Sequence, residues 1–212
     1  MSRQKAFQKE VSPHNTFALP RIGDILNKMN SHILELYKAH LPKYEKYTEN
    51  YSPDTSVKTE LTRILDVPEG GEYEGGVDPE YNHRSGLGTC VFKDGTVYHG
   101  YWALDQPHGK GFRIFIDKDF FIGDFKRSKM NGFGTYTKGD GSVYSGNWKN
   151  NQQSGKGTQK WKDGSSYDGE WSHGKKEGEG TFIWSDESVY KGNFHKDKFQ
   201  NHGEYKWADG NR

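Results

Sequence analysis

The first apolar pattern of the chain is helical. Between Pro20 and Pro42, apolar residues recur at steps of three and four, the spacing that places side chains on one face of an α-helix. We therefore predict a helix over residues 22–41 and expect its apolar face to dock elsewhere on the protein. The residues of that docking face are Ile22, Ile25, Leu26, Met29, Ile33 and Leu36.

The chain changes character near residue 70. A second, shorter helix is predicted over residues 55–65, where apolar residues again share one face. Apart from two, all of the 27 glycines lie beyond residue 70, as do all six tryptophans. We therefore expect a helical and linker segment over residues 1–72 and a separate domain over residues 73–212.

The second part of the chain repeats every 23 residues. Each unit opens with an aromatic residue, a glycine two positions later and a second aromatic residue two positions after that. A Gly-x-Gly pair follows in the same unit, except in the last one, which keeps only Gly203 of the pair, and an aspartate recurs near the end of each unit. An earlier, looser unit makes six in total. The units start at Tyr73, Tyr98, Phe121, Tyr144, Tyr167 and Tyr190.

Strand alternation assigns the aromatic residues and the glycines to one face. If each unit forms two strands, successive side chains point to opposite faces of the sheet. Four positions of each unit matter on this face: the first aromatic residue and the residues four, fifteen and seventeen positions after it. Over the last five units, all of these positions are aromatic except Arg113, Lys138 and Gln159. We expect this aromatic face to bind partners through Tyr98, Trp102, Tyr144, Trp148, Trp161, Tyr167, Trp171, Trp184, Tyr190 and Trp207.

The repeated pattern resembles the MORN (membrane occupation and recognition nexus) repeat over residues 73–212. The resemblance implies a mainly β fold, with one elongated antiparallel sheet of consecutive hairpins, here preceded by a helical segment. MORN arrays occur in axonemal radial-spoke heads, in junction and membrane-anchoring proteins, and beside catalytic domains. The opening repeat, residues 71–76, resembles the degenerate first repeat of radial-spoke head proteins.

Composition excludes several other classes of protein. The formal net charge is +1, which argues against bulk binding of nucleic acid. A single cysteine, Cys90, cannot form an internal disulfide or a cysteine zinc site. No apolar stretch is long enough to span a membrane, and residues 1–10 lack a secretory signal, so we expect a cytoplasmic location. The resemblance to MORN proteins implies that this location is cytoskeletal, with the axoneme of a cilium or flagellum as the suspected place.

Charged residues cluster at the two ends of the predicted strands. Acidic residues follow the second strand of most units, where Asp-Gly pairs are typical of turns. The loops after the first strand are mostly basic, and in a stacked array they would form a basic rim. Solvated hairpin tips and a docking rim for an acidic partner or for lipid head groups are both open interpretations. The basic rim comprises Lys126, Arg127, Lys129, Lys175, Lys176, Lys196 and Lys198.

The opposite face of the sheet is polar in the last three units and apolar in the second and third. An exposed apolar patch usually marks a contact surface. We expect the helix over residues 22–41, or a partner's helix, to cover this patch. Its residues are Tyr101, Phe112, Ile114, Ile122 and Phe133.

No motif of the sequence predicts chemistry. The Gly-x-Gly pairs lack the helix and the Gly-Lys-Ser/Thr that phosphate-binding loops require. We find no nucleophile with a neighbouring base, no paired carboxylates and no metal-ligand spacing, so we expect no enzyme activity, no cofactor and no metal.

Two functions from different classes remain. The first is a non-enzymatic protein-interaction scaffold in a large cytoskeletal assembly such as the ciliary axoneme, with radial-spoke-like proteins as the nearest analogy. The alternative is a lipid-binding or regulatory module of a larger enzyme such as a phosphatidylinositol phosphate kinase. The repeats continue to Arg212, so we expect further chain, a partner or self-association to cover the last strand.

Overall fold

All strands of the molecule belong to one antiparallel sheet, in which they follow their order along the chain. The computed structural model describes residues 23–51, 59–64, 67–68 and 70–210. Its elements are α1 (Gly23–Leu26), α2 (Ser31–Thr48), β1 (Glu60–Ile64), β2 (Gly71–Val77), β3 (Arg84–Phe92), β4 (Val97–Ala103), β5 (Gln106–Ile114), β6 (Phe120–Lys126), β7 (Lys129–Thr137), β8 (Val143–Lys149), β9 (Gln152–Lys160), β10 (Ser166–Ser172), β11 (Lys175–Ile183), β12 (Val189–His195) and β13 (Lys198–Lys206).

The predicted N-terminal helix is broken near its start and extends beyond its predicted end. Asn30 separates α1 from α2, and its side-chain Oδ1 caps α2 by accepting the Ile33 amide at 2.9 Å. Pro42 does not end the helix, contrary to the prediction, but lies inside α2. A proline removes one helical hydrogen bond, and the packing of Tyr44 against the sheet beyond it stabilises the last turns.

The prediction of a second helix over residues 55–65 is wrong where the structure describes that segment. Residues 60–64 form β1, which pairs antiparallel with β2 and places Leu61 opposite Gly76. Residues 55–58 and 65 lie outside the described residues. Short apolar runs do not distinguish helix from strand, and here pairing with β2 satisfies the backbone groups of β1. The sheet therefore begins ahead of the expected boundary at residue 73.

A row of glycines crosses the sheet from β2 to β13. In every one of these strands, one glycine lies directly opposite the glycine of the neighbouring strand, as Gly146 lies opposite both Gly134 and Gly157. The row consists of Gly75, Gly88, Gly100, Gly111, Gly123, Gly134, Gly146, Gly157, Gly169, Gly180, Gly192 and Gly203.

The first aromatic ring of each repeat lies flat over two glycines of this row. Tyr144 covers Gly146 and Gly157, and a Cβ added to Gly157 would lie 2.6 Å from Cζ of the tyrosine. Because real side chains do not approach so closely, only glycine leaves room for the ring. Tyr73, Tyr98, Phe121, Tyr167 and Tyr190 cover their own pairs of glycines in the same way.

A bulge in the first strand of each repeat gives the tyrosine hydroxyl its acceptor. The register of β8 against β9 shifts between Gly146 and Trp148, which leaves Asn147 outside the regular ladder. The Tyr144 hydroxyl donates to the Asn147 carbonyl at 3.0 Å, and the Trp148 indole donates to the Gly134 carbonyl at 3.1 Å. The hydroxyl bond recurs at Tyr73, Tyr98, Tyr167 and Tyr190, and the indole bond recurs at Trp102 and Trp171.

The helices give the sheet a second, separate core on its other face. Tyr37 and Tyr44 of α2 pack against His99 and Phe112, with ring centroids 5.1 to 5.8 Å apart. His99 is fully buried, and its Nδ1 is hydrogen-bonded to the Thr89 hydroxyl at 2.7 Å. Burial lowers the pKa of His99 to about 3, so the imidazole is neutral at physiological pH.

Replacing a glycine under a ring should destabilise the array. We expect Gly157→Ala to lower the free energy of unfolding by about 2–3 kcal/mol, because the new methyl group displaces the Tyr144 ring. Gly164→Ala is the control: nothing lies within 4 Å of its Cβ, and only its left-handed backbone, with φ of +90°, costs about 1 kcal/mol. Urea denaturation monitored by tryptophan fluorescence measures both. Equal losses in the two variants would contradict the packing argument.

Acidification should weaken the protein through His99. Between pH 6.5 and about 3, the unfolded chain binds a proton at this residue and the folded chain does not. The free energy of unfolding should therefore fall as the pH drops through this window, by about 2 kcal/mol at pH 5. His99→Asn should reduce the difference in stability between pH 7 and pH 5 by that amount. The same change at exposed His108 should leave it intact, and equal pH dependence in both variants would refute the assignment.

Candidate interaction surfaces

Most of the aromatic residues expected to bind partners are buried. Their rings pack over the glycine row and edge-to-face against one another, as Tyr144 does with Trp148 and Trp171 at centroid distances of 5.1 and 5.2 Å. A partner cannot reach these rings while the sheet is intact, so the expectation of a binding face formed by them is wrong. The buried members of the predicted set are Tyr98, Trp102, Tyr144, Trp148, Tyr167, Trp171 and Tyr190.

The remaining three tryptophans of the predicted set lie along one edge of the aromatic face. Trp161 and Trp184 are partly buried, and Trp207 is 56% exposed. Phe182 and Tyr205 join them into a continuous ladder of rings with centroids 4.4 to 5.4 Å apart. In the last three repeats this edge is accessible, as is Phe199 of the last repeat, which is 53% exposed.

The basic rim lies at the tips of the hairpins within the repeats. Each tip is a two-residue turn with positive φ at both positions, such as Asn150 and Asn151; this type I′ geometry matches the twist of the strands. The tips are also joined to one another, since the Asn151 amide donates to the Met130 carbonyl and its Oδ1 accepts the Met130 amide. Successive tips stand two strands, or about 10 Å, apart.

Four successive tips carry exposed cations. At the last of these tips, Glu177 binds His195 at 2.8 Å and accepts the Lys196 amide, which holds the pKa of its carboxyl below the ordinary value. The exposed cations of the tips are Lys126, Arg127, Lys129, Lys149, Lys175, Lys196 and Lys198.

Lys176 does not belong to the rim, contrary to the prediction. Its side chain is 15% exposed, and its Nζ lies 5.3 Å from the Trp161 ring centroid and 3.5 Å from Oδ1 of Asp197. Successive strand residues point to opposite faces, so Lys175 is exposed while Lys176 lies among the aromatic rings. The Lys176 side chain therefore packs among the rings of the aromatic face instead of facing solvent at the tip.

The acidic residues at the opposite edge form turns. Asp140, Asp163 and Asp186 each accept the amide two residues further on, at 2.8 or 2.9 Å. At Asp163 and Asp186 the hydroxyl of the serine two residues on also donates to the carboxylate and is the larger cause of a lowered pKa, whereas at Asp140 the Ser142 amide is the larger cause. Among the described residues, no group of three or more His, Cys, Asp or Glu side chains could hold a metal ion.

The other face of the sheet is where α1 and α2 lie. Ile25, Met29 and Ile33 are buried there against β3 to β5, and Leu26 and Leu36 are partly buried at the same place. Ile22 lies outside the described residues. The helices cover Phe112 and Ile114 completely and Ile122 in part, whereas Phe133 stays 51% exposed.

Three tyrosines extend this contact beyond the predicted helix. The Tyr47 hydroxyl lies 2.8 Å from the Lys110 Nζ, which also forms an ion pair with Asp124 at 2.8 Å. Tyr51 packs on Tyr101 with ring centroids 4.9 Å apart. The sequence contained the signal, because Tyr44, Tyr47 and Tyr51 continue the helical spacing past Pro42, where we expected the helix to end.

Beyond α2 the same face becomes polar. An open hollow of about 560 Å³ lies over β9 to β13, lined by glycines of the central row and by charged side chains that include Lys156, Glu170, Glu179 and Lys191. Neither described helix combines the length and the apolar character that crossing a bilayer requires.

Comparison with known proteins identifies the repeats. A family model described as the MORN repeat matches residues 80–97, 98–120, 121–143, 144–166, 167–189 and 190–212. A search of curated proteins finds no significant match.

Two of the solved structures that match this chain are from Drosophila melanogaster. The TCP domain of SAS-4 (dCPAP), in complex with a proline-rich motif of Ana2 (dSTIL), is 8% identical, with a TM-score of 0.40; the match covers 75% of this chain and 90% of that one. The TCP10c domain of Sas-4 is 7% identical, with a TM-score of 0.39 and coverage of 71% and 95%. Since the six family matches span most of the chain and the last five of them coincide with the glycine-aromatic units of the sheet, the chain belongs to the MORN repeat family.

Proposed function

We propose that this chain is a non-enzymatic protein-interaction scaffold of a cytoskeletal assembly, and that it contacts partners through the tips of its hairpins. The observation that carries the proposal is the row of seven exposed cations on four successive tips. The resemblance of residues 71–76 to the first repeat of radial-spoke head proteins favours the ciliary axoneme as the assembly.

The array suits this role because its tips hold a fixed spacing. Each tip is hydrogen-bonded to the strand of the preceding repeat, as Asp197 is to Lys176 at 2.9 and 3.1 Å. The buried rings below the tips resist sliding of the strands. A partner segment with acidic groups about 10 Å apart would therefore meet charges that are already positioned.

Charge distribution favours a protein partner over a membrane. A lipid surface attracts a basic patch most strongly when no acidic groups accompany it. Here Glu177 and Asp197 stand among the basic residues of the last tip, and the chain as a whole carries a net charge of only +1. Such mixed charge is typical of specific protein contacts, in which each charge meets its own partner.

Reversing the charge of the tips should weaken partner binding without unfolding the protein. We expect the triple variant Lys129→Glu, Lys149→Glu and Lys175→Glu to recover about tenfold less of its partners by affinity capture from ciliated cells, a loss of about 1.4 kcal/mol. The control changes three exposed lysines away from the tips, Lys138, Lys160 and Lys162, to glutamate. It alters the net charge equally and should keep the partners.

Two outcomes would contradict the proposal. One is equal loss of partners in the tip variant and the control variant, which would show that only net charge matters. The other is binding to vesicles containing phosphatidylinositol phosphates at physiological salt that the tip variant abolishes, which would favour the lipid-binding module.

A further inference from the structure

An arginine interrupts the aromatic face of the second repeat. Arg113 lies opposite Tyr98 on one side and Phe121 on the other. In three other repeats the equivalent position is aromatic, namely Tyr136, Phe182 and Tyr205. The substitution places a permanent positive charge where the fold itself favours a ring.

The guanidinium of Arg113 is held between two rings. Its Cζ lies 5.4 Å from the Phe92 ring centroid and 5.1 Å from that of Phe115. Its Nε is fully buried without a hydrogen-bond acceptor among the described residues. Burial also lowers the pKa of this arginine. A buried donor without a partner is unfavourable, and such groups are normally hydrogen-bonded.

Arg84 of the same face shows how this chain pairs an arginine. Its Cζ lies 4.5 Å from the Trp102 ring centroid, much as Arg113 lies beside its phenylalanines. Asp105 completes that site, because the arginine Nε reaches Oδ1 at 3.2 Å and a terminal nitrogen donates to the Asp105 carbonyl at 2.7 Å. The site of Arg113 has the rings and the cation and lacks the carboxylate.

Asp94, an acidic residue whose charge acts on Arg113, does not fill this place. Its Oδ1 accepts the Thr96 amide at 2.8 Å and thereby forms the turn between β3 and β4. Its charge is felt by Arg113 without a direct ion pair. The Asp94 carboxylate therefore stabilises the turn between β3 and β4, and the N–H groups of the Arg113 guanidinium remain available to another acceptor.

A hollow opens directly beside the guanidinium. It is an open hollow of about 440 Å³, and the described residues that line it are Phe92, Lys93, Asp94 and Arg113. Together these described residues bring two cations and one carboxylate, a sum of one positive unit. A single carboxylate balances that charge, whereas a dianionic phosphate would leave an excess negative charge beside Asp94.

We propose that this hollow binds the carboxylate of an acidic side chain, presented by a segment of a partner protein. The carboxylate accepts the paired donors of Arg113, and an apolar neighbour of the acidic residue rests on the exposed edge of Phe92. The proposal rests on the proposed scaffold function and gives it a site separate from the hairpin tips. It also explains why an aromatic position of the repeat holds an arginine.

The direct test is a titration of the full chain with a short acidic peptide. The probe is Ac-Leu-Glu-Leu-NH₂, and Ac-Leu-Gln-Leu-NH₂ is its neutral match. The signal of the Arg113 Nε–Hε group in NMR spectra, assigned by its absence from Arg113→Lys, reports occupancy of the hollow. We expect the glutamate peptide to bind at least tenfold more tightly than the glutamine peptide. Equal affinities would overturn the proposal.

Variants separate a binding role from a structural one. Arg113→Gln should lose at least tenfold in affinity for the peptide, and Lys138→Gln, which removes another cation from the same face, should lose none. Arg113→Tyr should also lose binding, yet raise Tm by about 2–4 °C, because it restores the aromatic residue of the repeat. A fall in Tm would show that the arginine supports the fold, and would overturn the proposal.

Three further arms exclude other occupants. Inorganic phosphate that binds more tightly than the peptide would overturn the assignment of a carboxylate. Asp66→Asn with Glu69→Gln removes two acidic residues that precede β2 in the sequence; tighter peptide binding in that variant would show that the chain fills its own hollow and would overturn the proposal. The tip variant should bind the peptide normally, so failure of the tip hypothesis and failure of this site give different results.

Discussion

The structure depends on one repeated contact, in which an aromatic ring lies flat across the glycines of two paired strands. A single-layer sheet has little interior, and in this one the ring of each repeat provides it. Glycine is required beneath the ring because a Cβ on Gly157 would lie 2.6 Å from the Tyr144 ring carbon Cζ. The bulge after the first glycine then supplies the carbonyl that accepts the tyrosine hydroxyl. Low aliphatic content and abundant glycine are consequences of this one contact.

This contact also decides which surfaces remain for partners. Rings such as Trp102 and Trp148 hold the repeats together and cannot also be a binding face. On the opposite face, α2 covers the apolar patch over β3 to β6 through Tyr37 and Tyr44. The surfaces that stay accessible to a partner are therefore positions that the repeat does not fix, among them the charged hairpin tips, the aromatic edge near Trp207 and the surroundings of Arg113.

Much of the fold could be predicted from spacing, because a strict 23-residue period specifies a repeated hairpin. The position of the helix on the sheet followed from the apolar patch around Phe112. Two errors came from local rules that tertiary contacts overrode: Pro42 lies inside α2, and residues 60–64 pair as a strand. The surfaces accessible to partners were harder to predict, because the alternation of side chains along a strand gives the face on which a residue lies but not its exposure to solvent. It placed the tryptophans on one face, and only three-dimensional packing shows that Trp102, Trp148 and Trp171 are buried while the other three keep part of their surface exposed.

The claim that rings build the array and exposed charges contact partners can be tested by hydroxyl-radical footprinting of the chain in its native assembly. We predict protection of the residues flanking the tip lysines, from Lys126 to Lys198, relative to the isolated chain, with no change at Trp102, Trp148 and Trp171, which are buried in both states. Protection confined to the aromatic edge around Trp184 and Trp207, with unchanged tips, would contradict the account.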